Sequence, residues 1–345
     1  MNPFKVGQFT IEVAEAALPR IEAAVEAGTV KKLFEASSSS GTILREIGAT
    51  AAPDIEKIAR QAGLGVVTAA EKLPGGVVNN VYRVHTSGDP FIARFNLDSL
   101  SVFHKEQWAM NLAAQKGVRV PKVFSVGEDG NISYMLMEDL GGKTLSALRG
   151  DRGEALEDLG QQVNLINKIR VKGFGFHLDQ RSARPFFTEA WRPMKEGENS
   201  YIFEGDPLVR LGALTTGEQA QAKLFLEPML DWRFPPRLCH GDVSLGNAIL
   251  QDNGKVAIID WTQTKGGAAP FFDLANLSMN IPREFSSVLK GYGITPARFA
   301  SQLPNFNRVA LTDVLRAGSW AQRTGHPEPA KFVADIRSIY EKIFR

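Results

Sequence analysis

A single cysteine, Cys239, stands in the 345 residues, which excludes an intrachain disulfide and a cysteine-built zinc site. One thiol fits a reducing compartment. The chain also lacks an excess of either charge. Its formal net charge of +2 sets up no strong field toward nucleic acid or an anionic membrane, so neither is expected as a partner. No stretch approaches the roughly 20 apolar residues that a membrane span needs. The opening residues, 1–20, have no uninterrupted apolar core of the signal-peptide kind. No internal repeat is present. These absences leave a soluble, cytoplasmic protein as the expectation. With 43% hydrophobic and 23% charged residues, the composition is that of a globular chain able to fill a real core. Length allows one large domain or two to three smaller ones.

Hydrophobic spacing divides the chain. Phe9, Ile11, Val13, Ala17, Leu18, Ile21 and Val25 predict an amphipathic helix over 8–27, stopped at Gly28. Ser37–Ser40 with Gly41 reads as a loop. A second helix is expected over Asp54–Ala62, with Pro53 in its first turn and Gly63 at its end. Residues 1–68 are therefore read as a helical extension. From 69 onward β-branched and aromatic residues dominate, broken by Gly75-Gly76 and Ser87-Gly88-Asp89. A helix follows over Val102–Lys116. A strand pair is expected at Lys122–Val126 and Ile132–Met137, and Leu140-Gly141-Gly142-Lys143 reads as a hinge. Beyond it the pattern is mainly helical, with one strand–loop–strand at 238–260. The expected class is α+β: a small antiparallel β-rich lobe over 69–141 and a larger helical lobe over 142–345, with a cleft between them.

The chemistry concentrates in residues 238–261, LCHGDVSLGNAILQDNGKVAIIDW. His240, Asp242 and Asn247 fall in a short loop. Two apolar runs follow, joined by Asp252-Asn253-Gly254, and Asn-Gly between apolar runs signals a hairpin. That hairpin returns Asp260 beside the loop, so two carboxylates and a carboxamide meet. Phosphoryl transfer asks for this set. Mg²⁺ takes hard oxygen ligands, one or two from the protein and the rest from phosphates and water, which Asn247 and Asp260 can supply. Asp242 is left to orient an acceptor hydroxyl and take its proton.

This segment resembles the aminoglycoside phosphotransferase / choline kinase family, small-molecule kinases of protein-kinase-like fold. His240-Gly241-Asp242, Asn247 and Ile259-Asp260-Trp261 match that family's H-G-D…N…I-D-[WF] pattern in order and spacing. Asp273 matches an aspartate that is structural there. Ser244-Leu245 stands where the family usually has His-Pro. The resemblance spans about 69–280 and implies a two-lobed kinase fold that uses Mg²⁺ with ATP or GTP as co-substrate. Gly75, Gly76 and Asn79 would then belong to a loop over the nucleotide. Arg94 would bind phosphate with Glu106 as its partner. Backbone groups from Glu138 to Leu140 would meet the base.

The acceptor, on this resemblance a hydroxyl-bearing small molecule such as an aminoglycoside-like antibiotic or an amino-alcohol or sugar metabolite, should touch the large lobe. Glu189–Arg233 holds eight acidic and five basic residues together with Trp191, Tyr201 and Trp232, which suits a cation. Beyond Ile281 ten basic residues face five acidic ones, which suits an anion. Two other readings stay open: a nucleotide-binding scaffold without turnover, against which all three catalytic positions are filled, and a protein kinase. The H-G-D and I-D-W forms and the short Asp260–Asp273 segment speak against the second.

Overall fold

The computed structural model describes residues 53–73, 80–96, 100–179 and 186–345, together with the backbone of 2–6 and 9–13. Strands β1 (Asn2–Val6) and β2 (Phe9–Val13) form an antiparallel hairpin with Phe4 opposite Ile11. This corrects the helix expected from residue 8 as far as Val13. Phe9, Ile11 and Val13 alternate with Thr10 and Glu12, and that period of two belongs to a strand. The remainder of that expected helix and the Ser37–Ser40 loop lie outside the described residues.

Helix α1 (Ile55–Gln61) is capped by Asp54, whose carboxylate accepts the Lys57 N–H at 2.9 Å. It buries Ile58 and Ala59 against Val84, Phe91, Phe95 and Leu136 of the small-lobe sheet. The small lobe therefore includes residues N-terminal to 69. Its sheet runs β3 (Val67–Lys72), β4 (Asn80–Thr86), β5 (Phe91–Asn96), β7 (Ile132–Glu138), β6 (Val123–Asp129), all antiparallel. β5 lies at the centre of that order and is buried on both faces. Helix α2 (Leu100–Ala114) turns Phe103, Glu106 and Met110 inward.

The hinge follows β7. Gly141 and Gly142 both take positive φ (61° and 70°), and a Cβ on Gly142 would collide with the Leu250 carbonyl. Glycine is thus required where β8 (Lys143–Thr144) joins β12 (Ala248–Leu250) and β13 (Val256–Ile258) in a three-stranded sheet. Arg119, in the connector between α2 and β6, clamps the lobes together. Its guanidinium donates to the Val256 carbonyl at 2.7 Å and to both oxygens of Asp158 at 2.5 and 2.6 Å.

The large lobe packs α3 (Gly153–Lys168), α4 (Trp191–Phe203), α5 (Pro207–Arg210), α6 (Thr216–Leu226), α7 (Phe271–Asn280), α8 (Phe285–Tyr292), α9 (Pro296–Thr324) and α10 (Pro329–Phe344) around one apolar core. A small sheet not anticipated from the sequence crosses it in the order β10 (Phe186–Glu189), β9 (Phe174–Asp179), β14 (Lys265–Gly267), β11 (Arg237–Cys239). Gly173 just before β9 and Gly175 within it hid the strand, since glycine is depleted in strands. The sheet carries the His240–Asn247 loop on β11 and Lys265 on β14. Among the described residues no helix is long and apolar enough to cross a membrane.

Candidate active site

The loop after β11 is fixed from below. Asp273, buried on α7, accepts from the Gly241 N–H at 2.7 Å, the His240 N–H at 3.2 Å and Asn167 Nδ2 at 2.6 Å. Asn167 also donates to the Leu238 carbonyl at 3.2 Å and accepts from Tyr292 Oη at 3.1 Å. Burial, reinforced by Asp273 nearby, pushes the Tyr292 phenol far up, so it stays a donor. Gly241 has φ +82°, and a Cβ there would strike the Gln263 carbonyl.

His240 is buried edge-on to Trp261. Its Nδ1 accepts the Asp242 N–H at 3.3 Å, so the proton sits on Nε2, which donates to the Ile259 carbonyl at 3.0 Å. The histidine thus ties the loop to the hairpin end and does not face the cleft.

Asp242 and Asn247 meet directly: Asn247 Nδ2 donates to Asp242 Oδ2 and to the Asp242 carbonyl, both at 2.9 Å. That spends the amide nitrogen and leaves Asn247 Oδ1 without a partner among the described residues. Ser244 Oγ accepts the Asn247 N–H at 3.2 Å, which gives the unusual Ser244 a capping part in the loop. Burial raises the Asp242 pKa, and the neighbouring Asp260 charge adds to it, against the pull of His240 and the Asn247 hydrogen bond.

Asp260 sits at the end of β13 in the left-handed region (φ 60°, ψ 72°), a conformation that costs a non-glycine residue about 1–3 kcal/mol and clusters at functional sites. Its Oδ1 accepts from Arg94 Nη2 at 3.3 Å and lies 2.8 Å from Thr262 Oγ1, while Oδ2 has no partner among the described residues. Arg94 reaches it from β5 across the lobes. Arg94 is 4% exposed and donates to Glu106 at 2.6 and 3.4 Å, with Glu106 itself 0% exposed. Burial works against the Arg94 charge, but Glu106 and Asp260 outweigh it and raise the pKa. Thr262 Oγ1 accepts from Arg94 at 3.2 Å and stands 2.9 Å from Glu106, so its single proton serves Glu106 or Asp260 in turn.

At the hinge, the Glu138 N–H donates to the Lys122 carbonyl at 2.8 Å, so it is not free for a ligand. The Leu140 N–H and carbonyl have no partner among the described residues. Asp139 between them holds Arg83 at 2.6 and 3.3 Å and accepts the Gly141 N–H at 3.1 Å. Gly75, Gly76 and Asn79 lie outside the described residues.

A cleft of about 1200 Å³ opens between α4, α9 and β9, lined in part by Phe176, Glu198, Tyr201, Lys265 and Arg316. It shares Gln263, Asp313, Arg316 and Ala317 with a second cavity of about 490 Å³ that Asp242 lines, so the two adjoin. Trp191 and Trp232, offered by the sequence as cation platforms, instead stack on each other at 5.8 Å, and Trp191 lies in the core. Sequence reasoning missed Thr262, Lys265, Asp313 and Arg316. Thr262 alone had a local signal, two residues past Asp260.

Two lobes, a hinge and this cleft define the fold of a small-molecule kinase of protein-kinase-like type. A profile of the phosphotransferase enzyme family matches residues 69–309, and the chain belongs to that family. It is similar to the probable ketoamine kinase YniA of Escherichia coli K12, 26% identical over 216 residues that cover 57% of this chain and 69% of that protein. It is also similar to a probable ketoamine kinase of Klebsiella aerogenes, 27% identical over 70% of this chain and 84% of that one. Among solved structures, a thermostable aminoglycoside phosphotransferase APH(4)-Ia superposes with TM-score 0.66 at 19% identity, covering 84% of this chain and 99% of that one. A putative fructosamine-3-kinase from Haemophilus somnus superposes with TM-score 0.61 at 15% identity, covering 84% and 97%. At these identities the structures establish the fold.

Proposed function

We propose that this protein moves the γ-phosphate of ATP or GTP to a hydroxyl of a sugar-like, amine-bearing small molecule held in the large-lobe cleft. One observation carries the reading: Asp242 lines a cavity that adjoins the cleft, and it is hydrogen-bonded to Asn247, whose Oδ1 is unspent beside a half-exposed Asp260. The donor set, one amide oxygen and one carboxylate oxygen, fits Mg²⁺. Among the described residues no three His, Cys, Asp or Glu side chains gather to hold a metal, so further ligands would come from phosphate and water. When bound, the ion would neutralise phosphate charge. Asp242 accepts the proton of the acceptor hydroxyl, and Asn247 holds its carboxylate in place. Arg94, kept charged by Glu106, faces the phosphates from the small lobe. The Leu140 backbone meets the base.

The relatives named as ketoamine kinases and aminoglycoside phosphotransferases both point to hydroxylated amines. The cleft lining sets Lys195, Lys265 and Arg316 against Glu189, Glu198 and Asp313, and this balance of charge suits a ketoamine better than a polycationic aminoglycoside. ADP or GDP release over a panel of both acceptor classes tests this. Turnover of a ketoamine above any aminoglycoside is expected, and the reverse order refutes the assignment. The filled Asp242, Asn247 and Asp260 positions argue against a scaffold without turnover.

A further inference from the structure

Three cations converge on one ring in the cleft. Lys265 Nζ lies 4.8 Å from the Phe176 centroid, Arg316 Cζ 5.9 Å and Lys105 Nζ 5.9 Å. Lys265 is 6% exposed, and its ammonium makes no hydrogen bond or ion pair among the described residues; a second ring, Phe272, stands 4.9 Å away. Two phenyl faces replace little of the hydration that a buried ammonium gives up. Arg316 is held by two long ion pairs and keeps one donor without a hydrogen bond. Its nearest carboxylates, Glu198 Oε1 at 3.9 Å and Asp313 Oδ1 at 3.8 Å, are beyond hydrogen-bond reach, and its buried Nε has no partner.

The carboxylates nearby are already committed. Lys195 donates to Glu198 Oε2. Asp313 accepts from Asn276 at 3.2 Å, and burial pushes its carboxyl up against the opposite pull of Lys265 and Arg316. Glu189, on the far wall, pairs with His177 at 3.2 Å. Like charge is felt too: burial lowers the Lys105 pKa and Lys265 lowers it further. Lys265 is anchored in β14, paired with Cys239 of β11, and its Cε stands 3.0 Å from where a Cβ of Gly241 would be. Its side chain therefore runs beside the loop that carries Asp242.

We propose that Lys265 and Arg316 over Phe176 form an anion seat, and that the acceptor is a hydroxylated molecule bearing a carboxylate or a phosphate monoester as well. This rests on the cleft being the acceptor site. The seat is held on β14 and α9 beside the Asp242 loop, so it recognises the acidic group and holds the neighbouring hydroxyl toward Asp242. A purely cationic or neutral acceptor leaves the buried Lys265 ammonium without an ion pair.

The test titrates the whole chain by calorimetry, its nucleotide site saturated with a non-hydrolysable ATP analogue and Mg²⁺, with inorganic phosphate, D-gluconate and sorbitol. Gluconate or phosphate should bind roughly tenfold or more tighter than sorbitol, and Lys265→Met or Arg316→Met should each remove that advantage. Lys265→Arg should keep it, as should the surface control Lys57→Met. Stronger binding of phosphate assigns a phosphate monoester, and stronger binding of gluconate a carboxylate. Melting curves check folding, and the partly exposed Arg316→Met carries the result if Lys265→Met unfolds. Sorbitol binding as well as gluconate, no binding of either anion, or full anion binding by the folded variants overturns the seat. If the nucleotide analogue fails to bind wild type, the kinase reading has failed, and the anion titrations are then read on the free chain.

Discussion

Replacing Arg94 with alanine separates two things this residue does. Its guanidinium and the Glu106 carboxylate form a buried pair, 4% and 0% exposed, with contacts at 2.6 and 3.4 Å. Removing one partner strands the other charge in a low-dielectric interior, at a cost of about 3–5 kcal/mol. Asp260, 45% exposed, loses a 3.3 Å contact but can rehydrate, so it adds little. Arg94→Ala should therefore lower the urea-unfolding free energy by about that 3–5 kcal/mol and abolish the ATP-induced rise in Tm. Arg94→Met with Glu106→Leu removes both charges and keeps the volume, which should recover most of the stability. It should not recover the ATP response. Arg94→Lys should fall between, because an ammonium cannot fork to Glu106, Asp260 and Thr262 together. A stability loss under about 1 kcal/mol for Arg94→Ala would refute the buried-pair argument, since exposed pairs are worth no more than that. A double variant with a full ATP-induced shift would remove Arg94 from the nucleotide site.

Asp260→Asn should shift the Mg²⁺ dependence of nucleotide binding to higher concentration more than any Asp242 variant does, because a charged oxygen holds the ion better than an amide; an unchanged dependence on titration removes Asp260 from the ligand set. Gly241→Ala should cost activity in a folded protein, because both its φ of +82° and the Gln263 carbonyl oppose a Cβ; normal kcat would contradict this. Asp273→Ala should destabilise by roughly 3 kcal/mol or more by denaturant titration, as three donors lose one buried acceptor; a change within about 0.5 kcal/mol, the range of an ordinary surface substitution, would contradict it. Deleting residues 1–68 strips α1 and with it Ile58 and Ala59 from the small-lobe core, so it should destabilise more than deleting 1–52; equal melting of the two truncations would place α1 outside the cooperative unit.

The candidate constellation was legible because it is local. His240, Asp242, Asn247 and Asp260 fall within 21 residues, and the Asn253-Gly254 turn alone explains why Asp260 returns to the loop. The two-lobed class was legible from the β-branched and aromatic residues that dominate after residue 69, though the small-lobe core also takes Ile58 and Ala59 from before it. The large-lobe cleft was legible only as a region. Phe176, Lys265 and Arg316 come from three separate elements, and no spacing along the chain marks a lysine in a three-residue strand as buried and unpaired. The β1–β2 hairpin was misread because Ala17, Leu18, Ile21 and Val25 extend an apolar run whose first five residues alternate with a period of two. Trp191 and Trp232 looked like ligand platforms in sequence because aromatic residues serve cores and sites alike; packing alone distinguishes them.

The central claim is phosphoryl transfer to a small molecule with Asp242 taking the proton. Phosphorus NMR of the whole chain with ATP, Mg²⁺ and a mixture of hydroxylated acids and amines tests it most directly. The account predicts a new phosphate-monoester resonance that grows with ADP, and a rate about 10²–10⁴-fold lower in Asp242→Asn with nucleotide affinity kept. ADP formed without any ester, or an Asp242→Asn variant that still works at more than about a hundredth of the wild-type rate, would contradict it.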